Sequence, residues 1–399
     1  MTDPLRHKRS AFILPEHTVY LDGNSLGPLP VAARERARDV VERQWGQDLI
    51  KSWNTHQWID LPAKVGDRIG QLIGAAAGQV VCCDSISVNL YKVLSAALAM
   101  RPERRVIATT KDNFPTDIYM AEGLIKQLGN QYTLRFIDEQ DPASGLDDDV
   151  AVVMLTQVNF RTGFKHDMAR VTRDVQQCGA LMLWDLAHSA GAFEVALDDC
   201  EVDFAVGCTY KYLNGGPGAP AFIYVAKRHH ADYQQPLSGW MGHATPFRFE
   251  PGYTPADGVI QNLSGTPGVI GMSVLDAALS VFDDVSMQAI REKSLALMDY
   301  FLSCLDDARI SDTFTLLSPP SAQRGSQIAL RHIDSYAICQ AWIAQGVIAD
   351  FRAPDVLRVG FSPLYLSFED IRLAVEKLAV IMREKTYLQT SYQQRNKVT

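Results

Sequence analysis

The sequence predicts an α/β fold: a large domain on a mostly parallel sheet covered by helices, followed by a smaller α+β domain. Three observations point there. Continuous apolar runs at 105–110, 132–137, 150–158, 180–187, 204–208 and 220–226 read as strands, and helical stretches at about 117–129 and 166–178 separate some of them. Uninterrupted apolar strands alternating with helices mean a sheet buried on both faces, which is the parallel arrangement. Beyond residue 269 the pattern changes to a long helix and then short strands and helices. Finally, 399 residues is too long for one small core and suits two domains of unequal size. The expected boundaries are 1–50 for an N-terminal arm and helix packing with the small domain, 51–268 for the large domain and 269–399 for the small one.

Bulk properties narrow the function. The formal net charge is −8 and the pI about 5.6, against a nucleic-acid footprint. No run of about 18 uncharged apolar residues is present, so no membrane partner is expected. The first nine residues lack the apolar core of a signal peptide. The seven cysteines are scattered, odd in number and without a CxxC pair. That pattern fits buried thiols in a reducing compartment, hence a cytoplasmic location and no metal site.

Taken in order, residues 1–20 read as an entry arm ending in a short apolar segment. The loop Asp22-Gly23-Asn24-Ser25-Leu26-Gly27-Pro28 follows, its glycines and prolines forcing a fixed path. It is either a plain turn or a loop presenting Asn24 and Ser25 to a site. Residues 31–50 read as a helix. Trp45, Trp53, His56 and Trp58 then cluster, as packing or as walls of an aromatic pocket. A helix over 61–77 precedes Val80-Val81-Cys82-Cys83 and the serines Ser85 and Ser87, which open an apolar helix from Leu90 to Met100. Serines there are N-caps, and the same free N–H groups suit a phosphate, which makes Ile86 and Ser87 candidates for a phosphate cradle. Between the first two strands of the alternating region, Asn113-Phe114-Pro115-Thr116-Asp117 ends one strand and opens a helix that Thr116 can cap; Phe114 either folds inward or lies on a planar ring, with Asp117 nearby.

Two strand ends carry the chemistry. Leu181-Met182-Leu183-Trp184-Asp185 closes an all-apolar strand with a carboxylate, a costly placement without a cationic partner. Phe204 to Gly207 leads into Thr209-Tyr210-Lys211, and a glycine-rich turn pins that lysine. In parallel sheets ligands bind beyond the carboxyl ends of strands, where Asp185 and Lys211 both stand. One reading is a buried ion pair. The other is a pyridoxal 5′-phosphate site, which needs a lysine for a Schiff base and a carboxylate to keep the pyridine nitrogen protonated.

Residues 228–268 are loop-rich, with Gly239-Trp240-Met241-Gly242-His243 among them, and loops of this length are functional or intersubunit. From 269 a helix is expected to 306, then strands at 313–317 and 326–330, a helix over 334–345, strands at 348–352 and 356–360, and a frayed polar tail after about 386.

Taken together, Gly23-Asn24-Ser25-Leu26-Gly27, Phe114-Pro115-Thr116-Asp117, Asp185-Leu186-Ala187-His188, Tyr210-Lys211-Tyr212-Leu213-Asn214 and Gly239-Trp240-Met241-Gly242-His243 resemble kynureninases over nearly the whole chain. The resemblance implies a type I pyridoxal-phosphate fold, related to aspartate aminotransferase. It implies hydrolysis of L-kynurenine to anthranilate and L-alanine, with 3-hydroxykynurenine as a second candidate substrate, in tryptophan catabolism. It also implies a homodimer with the site at the subunit interface. On this resemblance Lys211 forms the Schiff base and shuttles protons, Asp185 pairs with the pyridinium, and His188 supports Asp185 or the ring. Phe114 stacks on the ring, with Asp117 and Thr156 close by. Ile86 and Ser87 hold the phosphate; Tyr210 reaches it and could act as an acid; Trp240 and Thr266 approach it from the other subunit. Arg358 binds the substrate α-carboxylate, while Ser25, Trp53 and His56 are candidates for the aryl pocket.

The rivals within the fold are a cysteine desulfurase, which needs a mobile reactive cysteine, and an aminotransferase. A rival outside catalysis is a pyridoxal-phosphate-binding sensor, against which the acidic balance speaks.

Overall fold

The computed structural model describes residues 3–395. Its centre is a seven-stranded sheet made of β1 (Val80–Cys82), β2 (Val106–Thr110), β3 (Thr133–Ile137), β4 (Val150–Thr156), β5 (Leu181–Asp185), β6 (Phe204–Gly207) and β7 (Phe222–Val225). The order across the sheet is β1-β7-β6-β5-β4-β2-β3. From β6 to β3 all neighbours are parallel, whereas β7 runs antiparallel to both β6 and β1.

The unbroken apolar strands follow from burial on both faces. In β5, Leu181 and Leu183 belong to one apolar cluster and Met182 and Trp184 to the other, on the opposite face. Each such side chain, fully buried, contributes about 1.5–3 kcal/mol. Helices α1 (Val31–Asp39), α2 (Leu61–Leu72), α3 (Ile86–Met100), α4 (Pro115–Gln127), α5 (Met168–Gln177) and α6 (Val269–Ala278) accompany the sheet. Their starts use local chemistry: Ser85 caps α3 by accepting from Val88 N, and Asp167 caps α5 by accepting from Arg170 N at 3.0 Å.

The C-terminal part holds α7 (Met287–Asp307), an antiparallel sheet of β8 (Thr315–Leu316), β9 (Gln327–Arg331), β10 (Asp350–Arg352) and β11 (Val356–Gly360) in the order β8-β9-β11-β10, and helices α8 (Ser335–Ala344) and α9 (Phe368–Glu384). The N-terminal arm reaches this part. Val19–Tyr20 pairs in parallel with Val347–Ile348, and Arg9 bridges to Asp370 at 2.6 Å.

Several elements differ from the sequence reading. The helix expected over 31–50 is α-helical only to Asp39, widens to a π turn over Val40–Trp45 and tightens at Leu49–Lys51. The helix expected over 61–77 stops at Leu72, where Gly74 takes a positive φ. The long helix expected over 269–306 breaks at Asp283-Asp284, with Asp284 left-handed, and restarts at α7, whose cap Ser286 accepts from Ala289 N at 3.1 Å. The tail expected to fray after 386 instead forms short helical turns at Thr386–Leu388 and Thr390–Gln393, with Tyr387 buried. Residues 396–399 lie outside the described part. Among the described residues no helix is long and apolar enough to cross a membrane.

Candidate active site

Beyond the carboxyl ends of β4, β5 and β6 lies a cavity of about 250 Å³. Lys211, Tyr210, Asp185, His188, Asp117, Phe114, Thr156, Ile86 and Ser87 all line it. Sequence-distant residues meet here because each parallel strand delivers its last residue to the same edge.

The lysine is fixed by its turn. Asn214, at φ +57°, donates its backbone N–H to Lys211 O at 3.0 Å, and Gly215 N donates to Thr209 O at 2.8 Å. The loop 22–28 braces the other side, where Gly27 N donates to Tyr210 O at 2.7 Å. A Cβ at Gly27 would collide with Lys211 O and the Asn214 side chain, so only glycine fits. Lys211 Nζ and His188 Nε2 share a hydrogen bond of 3.0 Å. Burial lowers the Lys211 pKa below its ordinary value, even though Cys208 and Asp185 act the other way. Burial, with the Lys211 charge added, drives His188 well below its usual range, so the imidazole is neutral.

Two carboxyl groups form the floor. Asp185 Oδ1 accepts from Ala187 N at 2.7 Å. Asp117 is fully buried, and neither of its oxygens has a hydrogen-bond partner. Burial raises both pKa values; Asp117 is raised well above the usual carboxylate range, because the charge of Asp185 adds to the cost. The two carboxyls titrate as a pair, and burial together with the neighbouring charge raises Asp117 further than Asp185.

The turn that carries Phe114 and Asp117 is organised by Asn113. Its Oδ1 accepts from Phe114 N at 2.7 Å and from Thr156 Oγ1, while its Nδ2 donates to Thr109 Oγ1 at 2.9 Å. Thr116, expected as the helix cap, instead lies inside the first turn of α4; Phe114 holds the cap position, and Pro115 fills the first helical site. Phe114 is 38% exposed, lines the cavity and meets Phe160 edge-on at 5.3 Å. Burial pushes the Tyr210 phenol above its ordinary value, so it holds its proton.

Arg358 stands next to the cavity rather than in its lining. It is 1% exposed. Its Nη1 donates to Phe160 O at 2.7 Å, its Nε to Asp350 Oδ1 at 2.9 Å, and its Nη2 to Ser25 Oγ at 2.7 Å and to Asp350 Oδ2. Arg352 shares Asp350, at 2.6 Å. Ser25 thus belongs to this arginine cluster.

Four expected residues are not gathered into the cavity of this chain. Trp240 is in an exposed aromatic group with Phe247 and Phe249. Thr266 lines a neighbouring cleft with Asp84 and Gly218. Trp53 packs edge-on against Trp58 at 5.9 Å, and His56 Nε2 pairs with Asp48 at 2.7 Å. Sequence reading assigned no role to Phe160, Cys208, Asp350 or Arg352. For the last two, the alternation Asp350-Phe351-Arg352 places two opposite charges on one face of a strand beside Arg358 and was the available signal.

These residues suit pyridoxal phosphate. The unpartnered Asp117 carboxyl and its neighbour Asp185 match a pyridinium N–H, Phe114 offers a ring face, and the N-terminus of α3 at Ile86 and Ser87 offers free backbone N–H groups to a phosphate.

A family model for the kynureninase C-terminal domain matches residues 290–378. A protein named kynureninase from Burkholderia pseudomallei (strain 1106a) is 49% identical over 403 aligned residues, covering 100% of this chain and 97% of that protein. Another, from Pseudomonas fluorescens, is 47% identical with the same coverage. Among solved structures, the complex of the cystine C–S lyase C-DES with cysteine persulfide has a TM-score of 0.80 at 17% identity, covering 91% of this chain and 98% of that one. The apo cysteine desulfurase of Thermococcus onnurineus has a TM-score of 0.77 at 18% identity, covering 96% and 99%. These two show a shared fold.

Proposed function

The chain belongs to the kynureninase family, hydrolysing L-kynurenine to anthranilate and L-alanine with pyridoxal phosphate, and we propose how its residues divide that work. The observation that carries the assignment is the trio of half-buried Lys211 and buried Asp185 and Asp117 around one cavity.

When bound, the cofactor supplies an electron sink conjugated to the substrate's α- and β-carbons. Lys211, its pKa lowered by burial, is the group that takes the α-proton and returns it. Asp185 would pair with the pyridine nitrogen and keep it protonated, and Asp117, the more strongly raised carboxyl, would contribute a neutral donor. Neutral His188 keeps Lys211 Nζ in place without a competing charge. Phe114 would cover the ring face, Thr156 sets the Asn113 turn, and Ile86 and Ser87 would hold the phosphate. Arg358 orients the α-carboxylate. Water adds to the γ-carbonyl, the Cβ–Cγ bond breaks, and Tyr210, which keeps its proton, donates it to Cβ.

A Tyr210→Phe variant tests the last assignment. Tyr210→Phe should lower kcat by about 10²-fold with the Schiff-base absorbance intact. An unchanged kcat would remove Tyr210 from the role.

We place the residues outside the cavity across a two-fold axis. The exposed aromatics Trp240, Phe247 and Phe249, together with Trp45, Leu49 and Ile50, supply apolar surface for a homodimer. In that dimer Trp240 and Thr266 reach the partner's phosphate, and Trp53 and His56 the partner's aryl pocket. Ser25 serves through Arg358. The division into 1–50, 51–268 and 269–399 stands as our reading of the domains. The seven unpaired cysteines support a reducing, cytoplasmic setting. The substrate places the enzyme in the kynurenine pathway, upstream of NAD biosynthesis where that branch operates.

A further inference from the structure

The arginine cluster contains a second carboxyl group that the reaction does not use. Asp22 begins the loop that braces Lys211, and its backbone carbonyl accepts from Ser25 N at 2.9 Å and Leu26 N at 3.1 Å. The neighbouring Leu21 is tied into the C-terminal part on both sides, its N–H donating to Ile348 O and its carbonyl accepting from Gly360 N, each at 2.7 Å. This fixes Asp22 against β10 and β11. There Asp350 already binds Arg358 and Arg352 with both oxygens, while Asp22 Oδ1 is buried and has no hydrogen-bond partner.

Charge decides what that placement means. Two guanidiniums against Asp350 leave one net positive charge, which a substrate carboxylate would neutralise. An ionised Asp22 would cancel that charge beforehand and set three carboxylates against two arginines in a water-poor site. The groups facing Asp22 are Asp350 and Arg352 from β10, Arg358 from β11, Ser25 and Tyr20 from its own segment, Tyr212 from the lysine turn, Tyr365 after β11 and Cys339 from α8. Burial keeps the three phenols and the thiol protonated, so none of them offsets the Asp22 charge.

We infer that Asp22 is a positioning residue of the carboxylate site that must carry a proton for Arg358 and Arg352 to accept the substrate's α-carboxylate, so that binding above neutral pH takes up a proton from solvent. This rests on the reading of Arg358 as the carboxylate-binding residue. In support, burial and the Asp350 charge raise the Asp22 pKa to about 7, and Asp350, held by the arginines, is lowered. The proton balance is simple: one substrate carboxylate and one solvent proton enter, and Asp22 changes from carboxylate to carboxylic acid.

The test uses holoenzyme and desaminokynurenine, the substrate without its α-amino group, which presents the carboxylate but cannot join the cofactor. Calorimetric titrations in buffers of different ionisation enthalpy give affinity and proton uptake at about pH 6 and about pH 8. In the wild type, affinity should weaken about tenfold over that range, with proton uptake at the higher pH. In Asp22→Asn the weakening should shrink to about twofold or less and the uptake should fall. KM for L-kynurenine should follow the same two pH profiles. An Asp22→Asn protein with the wild-type pH dependence and uptake would overturn the inference. Asp22→Leu gives the same comparison if the asparagine variant retains no cofactor. Arg358→Ala separates the two readings: loss of affinity at both pH values upholds the carboxylate site, and wild-type affinity would overturn that site itself.

Discussion

Lys211 and the two carboxyl groups near it have different burdens, and single substitutions should separate them. Lys211→Ala should remove both the Schiff-base absorbance and multiple turnover; an absorbance spectrum and a progress curve check this, and survival of either would refute the lysine assignment. Asp117 and Asp185 look equivalent in a sequence, but burial and the neighbouring charge raise Asp117 further than Asp185, and we assign the proton to Asp117 and the charge to Asp185. Asp117→Asn replaces a neutral donor by a neutral donor, so kcat should stay within about tenfold of wild type. Asp185→Asn removes the charge, and kcat should fall by about 10²–10³-fold. The reverse order of losses would mean that the roles are exchanged. Asp185 and Lys211 were legible as residues because Asp185 ends an apolar strand and Lys211 sits in the glycine-rich turn just after one. The raised pKa of Asp117 was not, since it depends on the first turn of α4 meeting the end of β5.

Among the elements, the loop 22–28 does most to shape the site. It braces the lysine turn through Gly27 and the arginine cluster through Ser25. Gly27→Ala should displace the Lys211 turn at a cost of about 1–3 kcal/mol and weaken cofactor retention, measured by dialysis and absorbance, while circular dichroism stays native. Undiminished retention would show that the loop does not set the turn. Arg358→Ala should raise KM for L-kynurenine far more than it lowers kcat; a dominant fall in kcat would require another role for this arginine. The sequence marked the loop as fixed because of its glycines and prolines, but left open whether it was a plain turn. Its contacts to Tyr210 and Arg358 cross 183 and 333 positions of chain respectively, beyond any local pattern. The same limit explains the helix misread over 269–306. Its apolar spacing continues through the break, which Asp284 at positive φ and the Ser286 cap impose locally.

At the scale of the whole molecule, the strand–helix alternation was enough to foresee the parallel sheet and the edge where Asp185 and Lys211 meet. Trp53, His56, Trp240 and Thr266 were assigned by resemblance alone, and one chain does not bring them to its own cavity. If they serve a partner's site, light scattering should give a mass of about twice 44.2 kDa. Mixed dimers of Lys211→Ala and Trp240→Ala chains should then regain activity, since each contains one site with both residues intact; no recovery would place Trp240 outside the active site. The most direct test of the account is product analysis with purified holoenzyme and L-kynurenine, following anthranilate by fluorescence and alanine by amino-acid analysis. The expected result is anthranilate and alanine in equal amounts, lost together in Lys211→Ala. A Schiff-base absorbance with no anthranilate would contradict the assigned reaction while leaving the fold and the lysine in place.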